Sequence, residues 1–351
     1  MPARVRVSTS FSGSDGHPIV LCLSPSFATT TAQPVEELES AGARLILARG
    51  SDAARTVETH LAEASALIVG TDPVDAAMLA AAPNLIVVAK HGAGLDNIDI
   101  ETATAKGVAV TGAAGANAGA VAELAMGLLL GLARGIVLQD SRVREGSWSV
   151  ATGKALEGST LGIVGVGRIG RLVALRAAAF GMKVLAFDVA IDEEASLPED
   201  PWTFADLDTL LRESDFITLH IPLTAETDGL IGERALSMMK PTAYLVNTSR
   251  GGIVDEAALA RALSDNRIAG AALDVFATEP VAPSHPLILE RERTILTPHM
   301  GAYTDRALTE TSLVTARNVV AALQGTWPPQ AVNRPEVWRG GAVPIVPDGH
   351  S

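Results

Sequence analysis

The chain has 351 residues, of which 48% are hydrophobic and 19% charged, and its formal net charge is −13. That composition supports a large buried core and excludes wholesale disorder, and the length points to about two domains at roughly 150 residues each. The acidic balance excludes a broad nucleic-acid surface, which needs clustered lysine and arginine, but leaves room for a small anionic ligand.

The first eighteen residues, MPARVRVSTSFSGSDGHP, hold no apolar run of signal-peptide length. The single cysteine, Cys22, allows no internal disulfide and suits a reducing, cytoplasmic setting, where it reads as a packed small hydrophobe. Short β-branched runs then alternate with Ala/Leu-rich helical stretches. Strands are expected at 18–24, 44–48, 66–70 and 85–89, with helices at 35–41 and 75–82. Near-continuous apolar runs in a βαβα rhythm imply a parallel sheet covered on both faces.

After Gly112 the small-residue stretch AAGANAGA reads as a hinge into a long helix, 118–138. The apolar part of that helix is interrupted by Glu123 and Arg134, which makes it a poor membrane span and a better buried or interface helix. A second alternating series begins near Thr160. Its strands are expected at 160–164, 183–187, 216–220, 243–247, 270–273 and 294–297, with helices between them. An amphipathic helix follows over 305–324, and the Pro/Gly-rich stretch from Trp327 reads as an irregular extension.

Gly165, Gly167 and Gly170 fill a G-x-G-x-x-G pattern between the strand TLGIV and the helix RLVALRAAAF. A second strand ends in Asp188, eighteen positions after Gly170. In that context Gly165 permits the turn, Gly167 the approach of a pyrophosphate, and Gly170 close helix–strand packing. Amides near Arg168 and Ile169 would bind phosphate along the helix dipole. Asp188 would accept from the ribose hydroxyls, and no arginine follows it in Val189-Ala190-Ile191, so NAD is expected rather than NADP.

Five segments carry a family resemblance: HGAGLDNID from His91, GVGRIG, NTSRGGIVDEAALARAL from Asn247, GAALDVFATEP from Gly270 and TPHMGAYT from Thr297. In this order they resemble the D-isomer-specific 2-hydroxyacid dehydrogenases, across about residues 65–320, and most of all the phosphoglycerate-dehydrogenase-like and hydroxypyruvate-reductase-like branches. The resemblance implies an α/β fold of two Rossmann-like, doubly wound domains with a cleft between them. The NAD-binding domain would be 116–302, and the substrate domain would be discontinuous, 1–115 plus 303–351. It also implies a catalytic trio of Arg250, Glu279 and His299.

Those residue types suit reduction of a 2-keto acid. His299 would move the proton, Glu279 would fix its tautomer, and Arg250 would bind the carboxylate and the carbonyl oxygen. The resemblance further places Ile221 and Pro222 beside adenine, Thr248, Ser249 and Arg250 along the nicotinamide, Asp274 at its carboxamide, and Gly301 beside the catalytic histidine. Gly70 and Thr71 would offer amides to the substrate carboxylate. Lys90, His91, Gly92 and Ala93 would line the cleft, with Lys90 either facing substrate or capping its strand, and Asp96 and Asn97 acting as braces. The remaining histidines show no metal-ligand spacing, so no metal is expected.

Three departures narrow the substrate. The loop Gly70-Thr71-Asp72-Pro73 carries an acid where phosphoglycerate dehydrogenases often place a base. No regulatory domain is expected after the last helix. Glu279 stands where the formate branch usually has glutamine. The expectation is an NAD-dependent enzyme acting on a small D-2-hydroxy or 2-keto acid, glyoxylate or hydroxypyruvate above all. A homodimer is expected through the apolar helix 121–138, with no nucleic-acid or membrane partner. The alternatives are an NAD(H)-sensing regulator on the same fold, or a dehydrogenase for a phosphorylated or sulfonated acid.

Overall fold

The computed structural model describes residues 16–189 and 200–343. Ala190 and Ile191, on which part of the NAD-over-NADP expectation rests, lie outside the described residues. The chain divides into two compact units, Met1–Asn117 with Tyr303–Ser351, and Ala118–Ala302.

The first unit carries β1 (Ile19–Cys22), α1 (Gln33–Ser40), β2 (Arg44–Leu47), α2 (Ala53–His60), β3 (Ala64–Val69), α3 (Ala76–Ala81), β4 (Val87–Lys90), α4 (Ile100–Ala105) and β5 (Ala109–Thr111). All five strands pair in parallel in the order β2-β1-β3-β4-β5. The order reverses between β1 and β3, and the loops after those strands are where an open α/β sheet binds ligands. The sheet is buried on both faces, as the continuous apolar runs in β1, β3 and β4 imply.

The second unit carries α5 (Ala118–Arg134), α6 (Ile136–Arg144), β6 (Thr160–Val164), α7 (Arg168–Ala179), β7 (Lys183–Phe187), β8 (Thr203–Phe204), α8 (Leu207–Glu213), β9 (Phe216–Leu219), α9 (Glu233–Met238), β10 (Tyr244–Asn247), α10 (Glu256–Ser264), β11 (Gly270–Leu273), α11 (Pro286–Leu289) and β12 (Thr294–Leu296). Its seven parallel strands run β12-β11-β10-β9-β6-β7-β8, so the switch point lies between β6 and β9. The chain then returns to the first unit as α12 (Asp305–Leu323), whose Ala316, Val319 and Ala322 are fully buried against that unit's sheet.

Two expectations change. The single helix over 118–138 breaks at Gly135, which adopts φ +59° and turns the chain by 59° into α6. Glycine takes that left-handed conformation without a Cβ clash, so it ends α5 one turn early. Over residues 328–343 the chain is irregular but anchored. Trp338 is buried and its indole N–H donates to Ile86 O at 2.9 Å. Asn333 accepts from the Val110 amide at 2.7 Å and donates to Val108 O at 2.9 Å, holding β5 from 223 residues away. Among the described residues no single helix is long and apolar enough to cross a membrane.

Candidate active site

The glycine turn closes the β6–α7 junction. Gly165 has φ +99°, and a Cβ there would sit 2.7 Å from His220 O. At Gly170 it would sit 2.0 Å from Gly165 O, whereas at Gly167 it would meet nothing within 4 Å. Two glycines are therefore forced by backbone packing, and the third leaves open space. Gly167 is the N-cap of α7 and brings no side chain to the first helical amides, around Arg168 and Ile169. An anion can take those amides.

Asp188, at the end of β7, accepts from the Val166 amide at 2.8 Å, which ties the acid to the turn. Ile221 and Pro222, after β9, border the same turn, since the Ile221 side chain lies 2.7 Å from the site of a Gly165 Cβ. Two buried polar atoms near these strand ends lack a protein partner: Nδ1 of His220 and Oγ1 of Thr248. Burial pushes His220 down to about 3, so its ring is neutral. A cradle shaped by glycine, open helix amides, an acid at the neighbouring strand end and unpartnered polar atoms together fit a dinucleotide.

The predicted trio lies within this unit, on three successive strand ends. Arg250 follows β10 in a turn held by Asn247. Asn247 Oδ1 accepts from the Ser249 amide at 3.0 Å and from its hydroxyl at 2.9 Å, and Nδ2 donates to Arg250 O at 2.8 Å. Arg250 is half-buried and also donates to Ser249 O at 2.7 Å. Glu279 lies in the loop after β11, where Oε1 accepts from the Phe276 amide at 3.0 Å. Its Oε2 lies 2.8 Å from Nδ1 of His299. Those contacts pin the carboxylate and direct the histidine hydrogen to Nδ1, leaving Nε2 as the outer nitrogen.

His299 sits at φ +51°, a left-handed conformation that costs a non-glycine residue about 1–3 kcal/mol. Asp274 holds it there. Its main-chain oxygen accepts from the His299 amide at 2.8 Å. Its carboxylate accepts from the Thr297 hydroxyl at 2.6 Å and from the Met300 and Gly301 amides, each at 2.8 Å. Asp274 therefore shapes the histidine loop from beneath. The side chain is buried, and three donors of the histidine loop converge on it. Gly301 packs against that carboxylate, since a Cβ there would lie 3.2 Å from Asp274 Oδ2.

The predicted substrate residues lie in the first unit, at the ends of β3 and β4. Gly70 and Thr71 begin the loop after β3. Lys90 Nζ donates to Gly70 O at 2.5 Å and to Asn97 Oδ1 at 2.6 Å, and Asn97 Nδ2 donates to Gly70 O at 3.1 Å and Asp72 O at 2.5 Å. Two side chains thus hold the loop's carbonyls. Gly92, at φ +156°, and exposed Ala93 continue past β4.

His91 is corrected. Its ring is buried, with Nδ1 3.0 Å from Ser24 Oγ and 3.2 Å from Ser26 Oγ, and Nε2 2.9 Å from Ser312 Oγ. It ties the β1 loop and α12 to β4 and offers no ring nitrogen to substrate. Burial, with smaller contributions from the Arg49 and Lys90 charges, pushes it down to about 4.

That depression makes a stability prediction. Folded His91 stays neutral while the unfolded side chain takes a proton below its usual 6.5. Stability is therefore undiminished by this group above pH 6.5 and falls between 6.5 and about 4, by up to about 3 kcal/mol. Urea midpoints at pH 7, 5.5 and 4.5 should decline more steeply for the native protein than for His91→Gln. Parallel declines would refute the assignment.

A model of the D-isomer specific 2-hydroxyacid dehydrogenase NAD-binding domain matches residues 126–301. A glyoxylate reductase of Thermofilum pendens is 44% identical over 272 residues, covering 75% of this chain and 79% of the relative. A D-3-phosphoglycerate dehydrogenase of Mycobacterium tuberculosis is 46% identical over 274 residues, covering 77% of this chain but only 51% of the relative, so the chain matches about half of that protein's length. Among solved structures, a D-lactate dehydrogenase of Aquifex aeolicus complexed with NAD and lactic acid superposes with a TM-score of 0.76 at 32% identity, over 88% of this chain and 96% of that one.

Proposed function

Because the chain belongs to the D-isomer-specific 2-hydroxyacid dehydrogenase family, we propose that it interconverts a small unphosphorylated 2-keto acid, glyoxylate or hydroxypyruvate, with the D-2-hydroxy acid. The enzyme class is NAD-dependent oxidoreductase, and the cofactor is NAD. When bound, the reduced cofactor supplies the hydride to the carbonyl carbon.

The chain's own residues do the rest. His299 gives its Nε2 proton to the carbonyl oxygen, and takes it back in the oxidation direction. Glu279, 2.8 Å from Nδ1, fixes the ring orientation and its tautomer. Arg250 binds the carboxylate and steadies the carbonyl oxygen with charge-assisted hydrogen bonds. Gly165, Gly167, Arg168, Ile169, Gly170 and Asp188 hold the pyrophosphate and ribose, Ile221 and Pro222 the adenine, and Thr248 to Arg250 the nicotinamide side. Backbone amides of the Gly70–Thr71 loop receive the substrate carboxylate.

The observation that carries the preference for an unphosphorylated acid is the state of Lys90. Its ammonium is bonded to Gly70 O and Asn97 Oδ1, and the adjoining loop contributes Asp72 rather than a cation. The likeness to the mycobacterial D-3-phosphoglycerate dehydrogenase favours the other reading, a phosphorylated substrate. NADH oxidation with glyoxylate, hydroxypyruvate, pyruvate, phenylpyruvate and 3-phosphohydroxypyruvate, with NADPH in parallel, separates them. The first two acids should give the highest kcat/KM. A tenfold preference for the phosphorylated acid would sink the proposal, and silence across the panel with NADH bound would favour a sensor.

The protein is proposed to act in the cytoplasm as a homodimer, through the C-terminal end of the helical stretch the sequence suggested and the segment that follows it. Most of α5 is buried within its own unit, including Val121, Leu128 and Leu129. By contrast α6 buries no residue, and Ile136, Val137 and Val143 are exposed, followed by Trp148 at 87% and Val150 at 92%. Five large apolar side chains so open to water within fifteen residues fit a self-complementary interface. Sedimentation should give a dimer that Trp148→Asp with Val150→Asp converts to monomer; a native monomer would refute it.

A further inference from the structure

Glu279 is held by one amide of a peptide pair whose other amide is held by a different acid. The Phe276 amide donates to Glu279 Oε1 at 3.0 Å, and the next amide, of Ala277, donates to Glu256 Oε1 at 2.7 Å. The second oxygen of Glu256 lies 2.9 Å from His285 Nε2. The remaining ring nitrogen fixes the tautomer. His285 Nδ1 accepts from the Leu287 amide at 3.4 Å, at the start of α11, so the ring hydrogen sits on Nε2 and is donated to Glu256. The Phe276 ring meets the His285 ring edge-on at 6.2 Å between centroids.

Glu256 is not the cap of its helix. Asp255 fills that role, accepting from the Ala258 amide at 2.9 Å. The Glu256 side chain is 12% exposed and the His285 side chain 21%, so two largely desolvated polar groups are kept where a solvated pair would stabilise little and a broken one would cost much. The same Phe276–Ala277 peptide is also where Gly251 packs, since a Cβ there would lie 1.9 Å from the Phe276 carbonyl carbon. The loops bearing Arg250 and Glu279 therefore meet at one peptide, and Glu256 with His285 anchors it.

We propose that Glu256 and His285 are a positioning pair for the reaction: they hold the Phe276–Ala277 peptide so that Glu279 keeps the hydrogen of His299 on Nδ1. The inference deepens, and rests on, the reading of His299 and Glu279 given above. Neither Glu256 nor His285 touches reacting atoms; they act through Glu279.

The test uses the full chain with ¹⁵N-labelled histidine, at a pH where the rings are neutral, with His299 signals identified by their loss in His299→Asn. The native protein should show the Nδ1–H form of His299. Glu256→Ala should move it toward the Nε2–H form that free imidazole favours and lower kcat at least tenfold, with the NADH Kd within twofold. Glu256→Gln keeps an oxygen for the Ala277 amide but sets its amide N–H against the Nε2–H of His285, so it should restore both only in part, to values between those of the alanine variant and the native protein. If Glu256→Ala does not fold, His285→Asn should show the same changes at smaller size. An unchanged tautomer and kcat in the alanine variant, or equal impairment by alanine and glutamine, would overturn the proposal. A tautomer shift alongside full activity of His299→Asn would instead retain the pair and overturn the reading of His299 as the proton carrier.

Discussion

In the His299→Asn variant, kcat for the 2-keto acid is expected to fall by about 10²–10⁴-fold, the usual range for removing a positioned acid–base group. That corresponds to about 3–5 kcal/mol of lost transition-state stabilisation. Asparagine is the informative replacement because the backbone at this position has φ +51°, and asparagine adopts that region more readily than alanine does. The donors gathered by Asp274 are main-chain amides and the Thr297 hydroxyl, none of which the substitution removes. Folding and NADH binding should therefore persist while proton transfer is lost. Fluorescence titration with NADH beside steady-state kinetics decides the matter. A kcat within threefold of native, with intact NADH binding, would mean that the proton comes from another group.

Gly251→Ala should be nearly as damaging, for a steric reason. An added Cβ would lie 1.9 Å from Phe276 C, 2.2 Å from Ala277 N and 2.3 Å from Phe276 O. All three are backbone atoms, so no side-chain rotation relieves the overlap, and one loop must move away from the other. The expected cost is about 3 kcal/mol of stability, at the upper end for overpacking. Because the loops that separate carry Arg250 and Glu279, kcat/KM should also drop about 100-fold in whatever protein remains folded. Gly127→Ala is the contrast. Its Cβ meets nothing within 4 Å in the middle of α5, and the change should raise stability by about 0.5–1 kcal/mol. Chemical denaturation of both variants checks the pair, and a neutral Gly251→Ala would show that the two loops are not in tight contact.

How much of this was legible in the sequence depended on whether the partners were near each other in the chain. The strands β1, β3, β6, β7, β9, β10 and β11 announce themselves as apolar runs, and the glycine turn is readable because its glycines, its helix and Asp188 form one contiguous βαβ stretch. β5 was not expected, since it has three residues and its edge is completed by Asn333, far along the chain. The trio was reached by motif, and its members fall on adjacent strand ends. What motif reading missed is what holds them. Asn247 appeared only as the first residue of a motif, His285 only as a histidine without metal spacing, and Glu256 as an unremarked acid in a helix. Each acts through a bond whose partner cannot be guessed from spacing: Glu256 and His285 are 29 positions apart, and His91 and Ser312 are 221 apart. Nor does spacing show the bonds that Asp274 and His91 make, the one to the Thr297 hydroxyl and the Met300 and Gly301 amides, the other to Ser24, Ser26 and Ser312.

The return of α12 to the first unit has a consequence in time. During synthesis the residues of β1 to β5 emerge first, yet Ala316, Val319, Ala322 and Trp338, which cover one face of their sheet, are made last. From Val110 to its anchor Asn333 the ribosome must add 223 residues, roughly 10–45 s at ordinary elongation rates. Over that interval the second unit, contiguous in the chain, can complete its own core, while the earlier half waits with Val20, Ile68 and Val87 lacking their final cover. The order of completion is thus the reverse of the order of translation, and it is the nascent N-terminal sheet that would most engage a chaperone.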